Sequence, residues 1–181
     1  MTLRTARSED LAAIQAIYAH HVLNGLGTFE ETPPTLEAMA ERLALVRDKG
    51  LPWTLAEEDG RVLGYAYAGP FRPRAAYRYT VEDSVYVAPG AAGRGIGKAL
   101  LTSVIGDCQL LGLRQMAAVI GDSGNAASIG LHRSCGFEMK AVLPGLGFKF
   151  GRWVDVVWMQ RALDSGATAP PDGPGLSLSG A

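Results

Sequence analysis

Apolar residues recur along this chain with two different periods, and the switches between them mark its elements. Residues 2–5 read as a short edge strand. Leu11, Ile14, Ile17 and Tyr18 then follow helical spacing behind Ser8-Glu9-Asp10, where Ser8 is the expected cap, so a helix should run to about residue 23, ahead of Gly25 and Gly27. Residues 28–34 form a loop. Thr35 opens a second helix whose Leu36, Met39, Leu43 and Val46 make one apolar stripe, ending near Gly50. Period-2 runs at residues 53–56 and 62–68 flank the turn signal Glu58-Asp59-Gly60 and predict a hairpin. Beyond a Pro- and Arg-containing connection at residues 69–78 comes a central strand, residues 79–87, then a third helix to about residue 111 and a strand at 115–120. Ser123 to Asn125 starts a fourth helix that stops at Gly136. Residues 154–159 make a clear late strand and 137–143 a weaker one. The order β-α-α-β-β-β-α-β-α-β-β mixes hairpins with crossover helices and predicts one α/β (α+β) domain over residues 1–163, built on a mixed sheet. From residue 164 to 181 the chain is mostly Gly, Pro, Ser and Ala with few apolar anchors, and it reads as a disordered tail.

Composition narrows the function. With 48% hydrophobic and 19% charged residues, the 181-residue chain has the makings of a globular core. A formal net charge of −1 lends no support to nucleic-acid binding, and no stretch is apolar enough to span a membrane. The N-terminus has no apolar targeting segment, so a cytoplasmic protein is expected. Cys108 and Cys135 lack metal-ligand or CxxC spacing and sit in apolar helical surroundings, which suits buried reduced thiols rather than a nucleophile. His20 and His21 likewise have no spaced partner for a metal, and no metal site is expected.

One stretch concentrates the chemistry. In SVYVAPGAAGRGIGKALL, residues 84–101, a β-branched run passes through small residues into a helix, the order that presents free N–H groups to an anion. Two familiar phosphate motifs fail here. A P-loop would need Gly and Ser/Thr where Ala92 and Ala99 stand, and a dinucleotide fingerprint would need Gly where Leu100 stands.

VYVAPGAAGRGIGKALL resembles the acyl-CoA-binding motif of the GNAT N-acetyltransferases, and GNAASIGLHRSCGF resembles the second coenzyme A motif of that superfamily. IYAHHVLN, FEETP, GPFRPRAAYRYTVEDSVYV and GFKFGRWVDVVWMQ are similar to its phosphinothricin/methionine sulfoximine N-acetyltransferase branch, and the likeness runs from about residue 3 to 163. Two positions depart from the pattern. Ala92 stands where Gln or Arg is usual, and Asp83 stands where the branch has His. The resemblance implies the GNAT acyl-CoA N-acyltransferase fold, a central mixed, mostly antiparallel sheet flanked by helices, with acetyl-CoA as co-substrate and no metal. It implies that Val85, Tyr86, Val87, Gly93, Arg94, Gly95, Ile96, Gly97, Lys98, Asn125 and Ser134 hold the coenzyme. A homodimer is implied in the same way.

Acetyl transfer to an amine needs a free-base amine, a polarised carbonyl and a stabilised leaving thiolate. Glu82, on the central strand, is the candidate general base, its alternative being a solvated or ion-paired strand residue. His132 takes the place of a superfamily tyrosine proposed to protonate the departing sulfur, and is either that acid or a structural histidine. Asn125 serves as a helix cap, as a pantetheine contact, or as both. Arg72 and Arg74 suit the carboxylate and second oxyanion of a phosphinothricin-like substrate, with Ala75, Ala76 and Tyr77 beside them. Phe29 either closes the amino-acid pocket or packs in the core, and Lys149 and Trp153 lie at the active-site mouth or at a dimer contact. The expected activity is transfer of the acetyl group of acetyl-CoA to the α-amine of a small amino acid analogue (phosphinothricin, methionine sulfoximine or methionine sulfone) by direct attack, since no activated nucleophile is visible. The alternatives are acetylation of a protein N-terminus, a polyamine or an aminoglycoside, or a non-catalytic acetyl-CoA-binding module.

Overall fold

The structure, a computed structural model, describes residues 1–178. Its elements are β1 (Thr2–Thr5), α1 (Leu11–Asn24), α2 (Leu36–Asp48), β2 (Trp53–Glu58), β3 (Arg61–Pro70), β4 (Thr80–Val87), α3 (Ile96–Leu110), β5 (Gln115–Gly121), α4 (Ala126–Ser134), β6 (Glu138–Lys149) and β7 (Arg152–Ala162). Among the described residues the strands form one seven-stranded sheet in the order β1-β2-β3-β4-β5-β7-β6. Every neighbouring pair is antiparallel except β4 with β5.

Local chemistry explains most boundaries. At the β2–β3 hairpin Asp59 and Gly60 both adopt positive φ, 50° and 74°, the twist that a tight two-residue turn needs. Thr35 caps α2 by accepting the Ala38 N–H at 3.1 Å. Ahead of α1 the cap is not Ser8. The Asp10 carboxylate accepts the Arg7 N–H at 2.7 Å while the Arg4 guanidinium on β1 grips both its oxygens, each at 2.7 Å. Asp10 stands at the N-cap position of α1 with no side-chain bond into the helix, and a neighbouring strand supplies the charge that fixes it there, which the local pattern does not show. β6 is also longer than residues 137–143, because β7 templates it across Pro144 and Gly145 by register shifts that let the strand absorb both residues.

The sheet has two distinct faces. Leu100 of α3 packs beneath Gly64, where a Cβ would meet its side chain at 3.3 Å, so Tyr65 and its paired Tyr86 face the other way, toward Tyr18 of α1. Trp53 stacks on Tyr67 there, ring centroids 4.3 Å apart. The pairings Gly69↔Glu82 and Ala68↔Asp83 then separate two adjacent acids: Glu82 lies on the α1 and α2 face, Asp83 on the face covered by α3 and α4.

Residues 164–178 depart from the expected disordered tail, of which 179–181 lie outside the described residues. Leu176 is buried against the core and donates its N–H to Arg78 O at 2.8 Å. Tyr79 Oη donates to Gly173 O at 2.7 Å, and Arg114 reaches Ser165, Ala169 and Pro170. The composition is loop-like, yet Arg78, Tyr79 and Arg114 offer it partners spread over the preceding chain. Truncation after Leu163 should therefore cost about 1.5–3 kcal/mol, the value of burying a leucine, read as a lower urea midpoint; an unchanged midpoint would contradict the packed strap.

Candidate active site

The parallel pairing of β4 with β5 stops at Glu82↔Ala117, although β4 continues to Val87 and β5 to Gly121. The strands part there. Tyr79 O accepts from Arg114 and Gln115, whereas Thr80 O and the Ala88 N–H bond toward β3, so odd-numbered residues of β4 aim their peptide groups at the β5 side. Val85 and Val87 thus turn N–H and C=O groups into the opening. His21 takes one of them, its Nε2 lying 2.9 Å from Val87 O; a carbonyl only accepts, so Nε2 carries the proton, and burial pushes this imidazole below the ordinary histidine range.

The opening forms part of a cavity of about 560 Å³. Its floor includes the loop before α3, where Gly90, Gly93 and Gly95 all hold φ near +77°, at 78°, 78° and 76°, a conformation that resists side chains. Gly95 caps α3 without a side-chain bond, and the first intrahelical bond is Ala99 N–H to Gly95 O at 3.0 Å. The N–H groups of Ile96, Gly97 and Lys98 precede it and are left for an anion. Asn125 lines the far wall and caps α4 by accepting the Ser128 N–H at 3.1 Å, so the capping role holds.

Glu82 lines the same cavity. Burial raises its carboxyl above the usual glutamate range, the Arg72 charge partly opposes this, and Asp83 adds to it. Arg72 Nη1 stands 3.7 Å from Glu82 Oε2 with its guanidinium 4.3 Å over the Phe71 ring. On the opposite face His132 is buried, with Nδ1 2.7 Å from Ser128 O and Nε2 3.0 Å from Asp83 Oδ2. A carbonyl only accepts, so Nδ1 carries a proton. Burial disfavours the cation, but the hydrogen bond and charge of Asp83 outweigh it, so His132 is raised above the ordinary histidine range. Asp83 Oδ1 is buried and has no hydrogen-bond partner among the described residues.

Of the residues singled out in sequence, Phe29, Glu82, Val85, Tyr86, Val87, Gly93, Gly95, Ile96, Gly97, Lys98, Asn125 and His132 meet around this cavity. Others do not line it. Arg94 turns its side chain to Glu58 at 2.6 Å, and Ser134 Oγ donates to Leu131 O at 2.8 Å on an exposed surface. Arg72 reaches the site only through Glu82. Arg74 is exposed ahead of a single 3₁₀ turn, Ala75–Tyr77, whose Tyr77 packs edge-on against Phe71, centroids 5.3 Å apart. Cys108 is inert, its thiol pushed up to about 12 by burial.

Residues 3–158 match the acetyltransferase (GNAT) domain family. The chain belongs to this family. This GNAT chain is 55% identical over 171 residues to a phosphinothricin N-acetyltransferase of Alcaligenes faecalis, covering 94% of itself and 87% of that protein. It is 43% identical over 170 residues to an L-methionine sulfoximine/L-methionine sulfone acetyltransferase of Pseudomonas aeruginosa, covering 93% and 98% of the two chains. A solved GNAT superfamily phosphinothricin acetyltransferase from Sinorhizobium meliloti, in complex with AcCoA, superposes with a TM-score of 0.91 at 49% identity, over 94% of this chain and 92% of that one. The fold is thus the GNAT fold, a mostly antiparallel seven-stranded sheet with its four helices.

The sequence pattern undervalued three cavity residues of this GNAT chain. Thr28 and His21 carried no spacing signal, and Asp83 stood out only as a departure from the branch. Replacing Asp83 with Asn tests the buried pair. The wild-type advantage in urea unfolding should be about 1–3 kcal/mol at pH 5.5. It should shrink toward pH 9, because a raised histidine stabilises below its unfolded value near 6.5 and loses that contribution as pH climbs through the folded one. A pH-independent difference would rule out the ion pair.

Proposed function

We propose that residues 1–163 act as a single N-acetyltransferase domain that moves the acetyl group of acetyl-CoA to the α-amine of a small amino acid analogue: phosphinothricin, methionine sulfoximine or methionine sulfone. The observation that carries this is the parting of β4 from β5 above the glycine loop, with a burial-raised Glu82 in the wall of the same cavity. The fit to the coenzyme is chemical. The free N–H groups at the start of α3 suit a pyrophosphate, and the Val85 peptide groups with the Val87 N–H, left over once His21 has taken Val87 O, suit an amide-bearing arm laid alongside them as a strand would be.

When bound, acetyl-CoA supplies an acyl group on a good thiolate leaving group. The chain's residues do the rest. Glu82 takes a proton from the ammonium, directly or through water, so that nitrogen can form the new C–N bond while the C–S bond breaks. Backbone N–H groups of β4 polarise the carbonyl. Asp83 and His132 hold the proton for the departing thiolate: with Nδ1 bonded to Ser128 O, it is the Nε2 proton that leaves Asp83 Oδ2 for sulfur, and the second proton lost by the nitrogen returns to the pair. Arg72, beside Glu82, meets the carboxylate or second oxyanion of the substrate, with Arg74 two residues further along the same loop as a second candidate for that anion.

The β6–β7 hairpin supports a homodimer, because Leu146, Phe148, Phe150 and Trp153 all stand more than half exposed there, Trp153 at 69%. The buried, unpaired thiols of Cys108 and Cys135 fit a cytoplasmic enzyme. Acetylating phosphinothricin would give host cells resistance to that herbicide.

Thiol release from acetyl-CoA with a panel of amines tests the function. Turnover is expected with the amino acid analogues and not with spermidine, an aminoglycoside or a peptide N-terminus; coenzyme binding without turnover would favour a non-catalytic module. Glu82→Gln should lower kcat/KM about 10²–10⁴-fold with coenzyme binding intact. The acid limb of the wild-type profile should sit above the ordinary glutamate range, and Arg72→Ala should move it higher still, because the guanidinium favours the anion. A limb that moves down, or Glu82→Gln activity near wild type, would remove Glu82 as the base. Trp153→Asp should convert a two-copy species to one copy in sedimentation equilibrium, whereas an unchanged mass would place the contact elsewhere.

A further inference from the structure

The loop between α1 and α2 supplies one wall of the cavity through Gly27, Thr28 and Phe29, yet it belongs to neither helix. Its anchor comes from the far end of the sheet. Lys149, the last residue of β6, is 1% exposed and donates from Nζ to Gly25 O at 2.9 Å and to Thr28 O at 2.8 Å. Backbone carbonyls only accept, so a buried donor with long reach is what closes this pair. Two glycines shape the seat beneath. A Cβ on Gly121 would lie 2.0 Å from Leu26 O, and a Cβ on Gly147 would lie 2.5 Å from the tip of the Phe29 ring. The ring therefore rests on the Gly147 backbone.

We propose that Lys149 is a positioning residue for the amine substrate: by holding the carbonyls of Gly25 and Thr28 it seats Phe29 on Gly147 as a preformed wall, and that wall sets which amino acid side chain fits. The inference rests on the N-acetyltransferase reading above for its substrate. Ammonium and free amine both carry at least two N–H bonds, so the clamp is indifferent to Lys149 protonation even though burial pulls that group below the usual lysine range. The glycine loop before α3, which suits the coenzyme, takes no part in the clamp.

Lys149→Met keeps the length of the side chain and removes its donors. Amide hydrogen exchange across residues 25–30 should quicken about 10-fold, and KM for the amine should rise by a similar factor, as expected for losing one or two net hydrogen bonds. KM for acetyl-CoA should stay within about 2-fold. Lys149→Arg, which retains donors on a long stem, should restore part of both changes. Gly147→Ala gives an independent variant with Lys149 intact: it unseats the ring and should raise the amine KM alone. Unchanged exchange with an unchanged amine KM in Lys149→Met overturns the proposal, as does an equal rise in both KM values, which marks a general structural defect. Should the wild type turn over none of the amines, the functional reading fails while the exchange comparison still decides the clamp.

Discussion

A parallel pair of strands that stops pairing part-way is the constraint on which the rest depends. Each strand normally satisfies its peptide groups along its whole length, and unpaired ones in an interior are costly. Here β4 and β5 keep their ladder only to Glu82↔Ala117, and the peptide groups beyond are left for something that can complete them. The seven-stranded sheet tolerates the split because both strands stay paired on their outer sides, β4 with β3 up to Val87 and β5 with β7 up to Gly121. The helix packing follows: α3 seals one face through Leu100, Leu101 and Val104, and α1 supplies the other with Ile14, Ile17 and Tyr18.

Strand alternation turns that opening into a two-sided site. Glu82 and Asp83 are neighbours in sequence, but their side chains emerge on opposite faces, so two carboxylates one residue apart acquire opposite electrostatic roles. Glu82 meets desolvation with only the Arg72 guanidinium, 3.7 Å away, in opposition, and its proton is held more tightly than usual. Asp83 meets an imidazole fixed by a helix carbonyl, and it raises His132 instead. A burial-raised carboxyl and a buried histidine–aspartate pair thus flank one cavity without neutralising each other.

Much of this was legible beforehand. The apolar periods located the strands and helices, the Asp59-Gly60 turn located the hairpin, and the glycines before Ile96 located the anion end of α3, because each depends on the backbone preferences of residues close in sequence. The helix cap at Asp10, the length of β6 and the docking of Leu176 were not legible. Each depends on a partner far along the chain: Arg4 on β1, the β7 ladder, and Arg78 O.

The same division holds at the site. The sequence by itself determined the family, through two motifs whose spacing is local, and with it the glycine loop, Glu82, Asn125 and His132 as residues that meet. Only the tertiary structure decided which side chains reach the cavity. It turned Arg94 outward to Glu58, left Ser134 on the surface, paired His132 with Asp83, and brought Lys149 across more than a hundred residues to the carbonyls of Gly25 and Thr28. Sequence patterns report what neighbouring residues prefer, whereas a side chain's direction and partners are set by which distant backbone lies beside it once the sheet has closed.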